Sequence, residues 1–145
     1  MHKITDHIFI SSNFNDMNLE LIHDFIKHSY WGLSRTFEEQ KKASENTINF
    51  GLFKNNQQIA YARVMTDKVF FAYLLDVFVV PSEQKNGYAK LLIDHIITFP
   101  ELQAVKKWML TTKDAHTLYS KFGFTAIKSP ENLMEKLNPQ ANKTH

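Results

Sequence analysis

The segment Leu74-Leu75-Asp76-Val77-Phe78-Val79-Val80 runs directly into Pro81-Ser82-Glu83-Gln84-Lys85-Asn86-Gly87, and from there into a stripe at helical spacing, Tyr88, Leu91, Leu92, His95, Ile96 and Phe99, that Pro100 ends. A buried strand, a tight turn and an amphipathic helix in that order place a helix across the face of a sheet. The turn has the spacing Gln84-x-x-Gly87-x-Ala89. Small residues at Gly87 and Ala89 let backbone approach a ligand closely, and the unpaired N–H groups of the first helical turn aim the positive end of the helix dipole at it. A phosphate would sit there, with Lys85 beside it and Lys90 on the first turn as further positive charges.

Upstream, residues 8–10 read as a short strand, and residues 18–29 as a helix with Leu21, Ile22, Phe25 and Ile26 on one stripe. Thr36-Phe37-Glu38-Glu39 has capping-box spacing and opens a second helix to about residue 45. Residues 47–53 and 58–64 flank Asn55-Asn56 as a hairpin, and residues 70–80 follow as a third, antiparallel strand. Beyond the turn, the pattern predicts a strand at 107–112, a short helix at 114–121 closed by Gly123, a strand at 124–127 and a closing strand at 132–137. The order implies an α/β sheet of mixed direction with helices on its faces, the phosphate turn lying at the carboxyl end of a central strand.

A chain of 145 residues, 43% hydrophobic, suits one domain, expected over 1–137 with a polar tail at 138–145. Its 17 basic and 15 acidic residues are dispersed, which argues against nucleic acid as a partner. No cysteine is present, so disulfides, thiolate metal sites and cysteine nucleophiles are excluded. The seven histidines show no paired ligand spacing, so no metal is expected. Met1 to His7 holds no apolar run of signal-peptide length and no segment reaches membrane-spanning length, so the expected place is the cytoplasm, without membrane association.

At this point the chain resembles the GNAT superfamily of acyl-coenzyme A-dependent N-acyltransferases, over nearly its whole length. One signature is Asp76-Val77-Phe78-Val79-Val80-Pro81 with Gln84-x-x-Gly87-x-Ala89; the other is Ala115-x-x-Leu118-Tyr119-Ser120-Lys121-Phe122-Gly123-Phe124, similar to the family's late helix. The resemblance implies an α+β fold, a mixed, mostly antiparallel central sheet of about six to seven strands flanked by about four helices. It implies that main-chain N–H groups of Gln84, Lys85, Asn86, Gly87, Tyr88 and Ala89 hold the pyrophosphate of acetyl-coenzyme A, with Lys85 and Lys90 nearby, and that the backbone of Val77, Phe78 and Val79 pairs with the pantetheine arm. Departures from the family pattern are Gln84 for the commoner arginine, Ala89 for glycine, and Thr112, a coenzyme contact, for asparagine.

Asp76 interrupts an apolar segment. It is a candidate general base, directly or through water, with its pKa raised by apolar surroundings; alternatively it pairs with Arg63 across the preceding hairpin. Tyr119 is a core aromatic by periodicity, whereas the resemblance implies a proton donor to the coenzyme thiolate, for which a phenol of pKa near 10 is suited. His116 is a candidate base or a surface histidine. Tyr30, Trp31 and Arg35 fall where the family borders its acceptor pocket and could bind a flat or anionic part of a substrate; otherwise Trp31 staples the helix connection and Arg35 pairs with Glu38 or Glu39. Phe70 and Phe71 mark a homodimer interface or a covering loop.

The expected activity is transfer of an acetyl group from acetyl-coenzyme A to a primary amine of a small molecule, by direct attack in a ternary complex. Protein lysine or N-terminal acetylation, and a noncatalytic acyl-coenzyme A-binding module, are the alternatives. The turn lacks the Gly-Lys-Ser/Thr of a P-loop and the three glycines of a dinucleotide fingerprint.

Overall fold

The computed structural model describes residues 1–139; the last six residues of the expected tail, 140–145, lie outside the described residues. Six strands form one sheet in chain order: β1 (His2–Lys3), β2 (Ile8–Ser11), β3 (Ile48–Lys54), β4 (Gln57–Thr66), β5 (Phe71–Val79) and β6 (Lys107–Leu110). Neighbours from β1 to β5 are antiparallel, and β6 joins β5 in parallel. The β3–β4 hairpin turns on Asn55 and Asn56, both at positive φ (51° and 65°), the geometry asparagine tolerates best after glycine.

Helices α1 (Leu19–Ile26) and α2 (Phe37–Glu45) cover one face of the sheet, and α3 (Tyr88–Ile97) covers the other. Leu92, Ile93 and Ile96 of α3 pack with Phe50, Leu52, Ala60, Ala62, Val64, Ala72, Leu74 and Val79. Ile22 and Ile26 of α1 pack with Tyr61 and Phe78 on the opposite side. Burial of each such aliphatic side chain stabilises the fold by about 1.5–3 kcal/mol. The expected capping box at Thr36 is formed in both directions, with Glu39 N–H donating to Thr36 Oγ1 and Thr36 N–H donating to Glu39 Oε1. None of the described helices is long and apolar enough to cross a membrane.

One irregularity in β5 decides what the sheet presents. Tyr61 pairs with Phe78 and Arg63 with Leu75, so Ala62 faces two residues, Asp76 and Val77. Asp76 is the extra residue, at φ 54°. A bulge of this kind reverses the alternation. Before it, Ala72 and Leu74 face α3; after it, Val79 does, and Phe78 turns to the α1 side.

The carboxyl-terminal end differs from the expected pattern. Residues 124–127 and 132–137 form no strand, and the sixth strand is instead His2–Lys3. Gly123, at φ 89°, turns the chain away, and a one-turn helix at Pro130–Asn132 ends the run before a ladder can form. The stretch stands off from β6 across a cleft of about 570 Å³ lined by Trp108, Phe124, Ile127 and Leu133 among others. The late helix α4 (His116–Ser120) is shorter than the expected 114–121.

Candidate functional site

Pairing between β5 and β6 runs from Phe71/Lys107 to Leu74/Leu110 and stops there. β5 continues to Val79 with β4 on one side only, so its backbone from Leu75 to Val79 presents an open edge toward the space beyond β6. The bulge at Asp76 begins where the strands part. Val77, Phe78 and Val79 therefore lie on the open edge, as the pantetheine reading requires.

At the carboxyl end of β5 the chain makes a one-turn helix at Pro81–Glu83 and enters α3. Gln84 N–H closes that turn onto Pro81 O at 3.4 Å, and its side-chain amide donates to Val79 O at 2.9 Å. The main-chain N–H groups of Lys85, Asn86, Gly87, Tyr88, Ala89 and Lys90 have no acceptor among the described residues. Lys85 and Gly87 adopt positive φ (67° and 80°), and α3 starts with neither a side-chain cap nor an acid in its first turn. That start is uncompensated toward an anion. Gln84 thus contributes no free N–H, and the N–H cradle comprises Lys85 to Lys90. Tyr88 and Ala89 pack their side chains on the core, leaving only backbone to face a ligand. A Cβ at Gly87 would meet nothing within 4 Å. Gly87→Ala is therefore expected to lose about 1–2 kcal/mol through backbone strain alone, measured by urea unfolding.

Tyr119 of α4 is 8% exposed and stacks edge-on against Phe124. Its hydroxyl has no hydrogen-bond partner among the described residues. Burial, with the Tyr30 phenol as a smaller contribution, pushes its pKa up to about 12 rather than near 10, so it stays protonated at neutral pH. Thr112 Oγ1 accepts the Ala115 N–H at 3.0 Å and so starts α4. Across from it, Tyr30 Oη accepts the Lys113 N–H at 3.2 Å, and the Lys113 ammonium lies 5.5 Å from the Tyr30 ring centre. The link between α1 and α2 thereby spans the gap that opens between β5 and β6.

Asp76 is held differently from the expectation of a free base. Its Oδ1 accepts Trp31 Nε1–H at 3.0 Å, and its Oδ2 accepts Arg63 Nε–H at 2.6 Å, Arg35 Nη1–H at 2.9 Å and Gln40 Nε2–H at 3.3 Å. Burial raises its pKa, but the Arg63 and Arg35 charges with the hydrogen bonds outweigh that, and the net shift is below the ordinary 3.8. The expected upward shift is thus reversed, and the Arg63 ion pair is formed. Arg35 pairs with Asp76 and Gln40. Trp31 and Arg35 accordingly direct their polar atoms at protein, while Tyr30 remains 52% exposed. Sequence reasoning missed Gln40. It and Ser44 are buried one turn apart on α2, and the network continues through Ser44 to Tyr61 and Asn49. Their i, i+4 spacing on a helix of low apolar content was the available signal.

Residues 45–126 match the acetyltransferase (GNAT) domain family. The chain belongs to the GNAT acetyltransferase family. The matched region of this GNAT protein contains the bulge, the open edge, the N–H cradle and Tyr119. A candidate acetyltransferase of the same family from Xanthomonas campestris pv. campestris is 35% identical, with 93% of this chain and 96% of that one covered at a TM-score of 0.88. A candidate acetyltransferase from Clostridium acetobutylicum, solved with acetyl-CoA, has the same fold at 18% identity and a TM-score of 0.66, over 90% of this chain and 96% of that one. A candidate acetyltransferase of Gibberella zeae is 27% identical over 111 residues, 73% of this chain; the match spans 60% of that relative's length.

Proposed function

We propose that this GNAT protein moves the acetyl group of acetyl-CoA to the primary amine of a small molecule by direct attack in a ternary complex. One observation carries the reading: the open strand edge at Leu75 to Val79 runs directly into an uncapped helix start beyond its carboxyl end, and the unpartnered phenol of Tyr119 on α4 is assigned as the third part of the site. The cradle suits a pyrophosphate, the edge suits the amides of a pantetheine arm, and the phenol suits the departing sulfur.

The thioester is already activated, so the protein's tasks are alignment and charge stabilisation. The amine lone pair attacks the acetyl carbonyl carbon, and an N–H of the β5 edge near Val79 receives the developing oxyanion. The tetrahedral adduct loses one N–H proton from its nitrogen to solvent, and its collapse breaks the carbon–sulfur bond, forms the amide and expels the thiolate of coenzyme A toward Tyr119. Full proton transfer from a phenol of pKa about 12 to a thiolate of ordinary pKa, about 8.5, costs about 5 kcal/mol. Tyr119 therefore acts first as a hydrogen-bond donor to the sulfur, and complete transfer needs its pKa lowered in the loaded site. With no cysteine to carry an acyl group, no thioester-linked enzyme is formed.

Calorimetric titration with acetyl-CoA, with adenosine diphosphate as control, tests the coenzyme site. Saturable binding that requires the pantetheine arm is expected, followed by amine-dependent thiol release across a panel of small primary amines. Absence of binding would overturn the reading, and binding without release on small amines, peptide lysines or peptide N-termini would leave a binding module.

A further inference from the structure

We propose that Asp76 is a positioning residue: it latches the α1–α2 link to the β5 bulge and so holds the wall of the acceptor side in place. This rests on the transferase reading above, since that reading makes the far side of the gap an acceptor site. Donors to the one carboxylate come from three separate elements: Arg63 from β4, Trp31 and Arg35 from the link, and Gln40 from α2. Its side chain is 2% exposed. Four donors on two oxygens, one of them 2.6 Å away, occupy the lone pairs that a base would offer to an amine. A carboxylate held below the ordinary range by two guanidinium groups also has little tendency to take a proton.

The latch extends from Asp76 to the mouth of the gap. Trp31 is bonded to Asp76, and the adjacent Tyr30 ring stands edge-on to the Trp31 ring at 5.3 Å. Tyr30 in turn meets the Lys113 N–H on the far bank. Directly after Trp31 the link is packed so closely that a Cβ on Gly32 would lie 2.2 Å from Ile26 Cγ2. The Arg35 carbonyl, bonded to His23 Nε2 at 2.8 Å, ties it further to α1. Between these attachments Asp76 accepts from both Trp31 and Arg35, beside the Arg35 bond to Gln40, and through Trp31 it sets where Tyr30 can stand. The bulge has a purpose in this arrangement. At φ 54° the extra residue turns its carboxylate to the α1–α2 face at the level where β5 and β6 part.

Asp76→Asn is the variant of choice, because asparagine matches the shape of aspartate and tolerates the same positive φ. In a Trp108→Phe background Trp31 is the sole tryptophan. Acrylamide quenching of Trp31 is then expected to rise at least twofold on adding Asp76→Asn, with far-ultraviolet circular dichroism unchanged. With an amine identified by thiol release, the acceptor KM is expected to rise about tenfold while kcat, its pH profile and the Kd for acetyl-CoA stay within about twofold. Unchanged quenching overturns the latch. So does a fall in kcat at constant KM with loss of a limb of the pH profile, which would make Asp76 the base. If Asp76→Asn fails to fold, Arg35→Gln removes one donor from a partly exposed position and is read in the same two ways. Failure of acetyl-CoA to bind the wild-type protein would overturn the transferase reading, whereas quenching in the free protein tests the latch by itself.

Discussion

Asp76→Ala is expected to lower folding stability by about 3–5 kcal/mol, as for any buried ion pair broken from one side. The loss comes from Arg63 and Arg35, which would be left beside one another with their shared carboxylate gone and with side chains 10% and 19% exposed. The pH dependence has a definite sign. The folded-state pKa of Asp76 is depressed below 3.8, so its contribution is complete above that value and disappears as pH falls through the lower, folded-state pKa. The stability gap between wild type and Asp76→Ala is therefore expected to stay level from neutral pH down to about pH 4 and to close only below it. Urea unfolding of both proteins across that range is the measurement. A gap that instead widens between neutrality and pH 5 would mean that the carboxylate titrates above its ordinary value in the folded protein, and that its four donors do not hold it charged.

Tyr119→Phe is expected to reduce turnover by about 100-fold or more, the usual contribution of a positioned proton donor, while acetyl-CoA affinity and stability are preserved. The separation is sharp because the Tyr119 hydroxyl has no partner among the described residues. Removing it breaks no hydrogen bond, and the ring keeps its place against Phe124. A loss confined to kcat, read by thiol release under saturating acetyl-CoA, assigns the phenol to the departing sulfur. A change of less than about threefold would make Tyr119 a core aromatic only, and the sulfur would then be protonated by solvent.

The features that local chemistry controls were legible in the chain. The Thr36/Glu39 capping box, the Asn55-Asn56 hairpin and the Gly87 start of α3 each depend on residues within a few positions of one another. The Gln84 to Ala89 spacing likewise marks the turn whose N–H groups from Lys85 onward lack an acceptor among the described residues, because small residues and a helix start suffice to leave them open. The strands expected at 124–127 and 132–137 fared otherwise. A four-residue apolar run becomes a strand only when a neighbour completes its ladder, and the turn at Gly123 removes this one from β6. His2–Lys3, with no strand pattern of its own, pairs because β2 offers an edge.

The site shows the same division. Sequence singled out Asp76 as a carboxylate in an apolar segment and offered Arg63 as a partner, but nothing near it in the chain announces Trp31, Arg35 or Gln40. Those three lie 36 to 45 positions away and meet it only after α1 and α2 fold over the sheet. The bulge is equally hidden, since residues on both sides of it are apolar and the change of face leaves no mark in the pattern. By itself the sequence determined the family and the strand–turn–helix unit with its uncapped α3 start, all set by backbone sterics and short-range hydrogen bonds. The tertiary structure decided the charge state of Asp76 and the placing of Tyr30 across the gap, because a buried carboxylate takes its pKa and its partners from whichever donors packing brings within 3 Å or so.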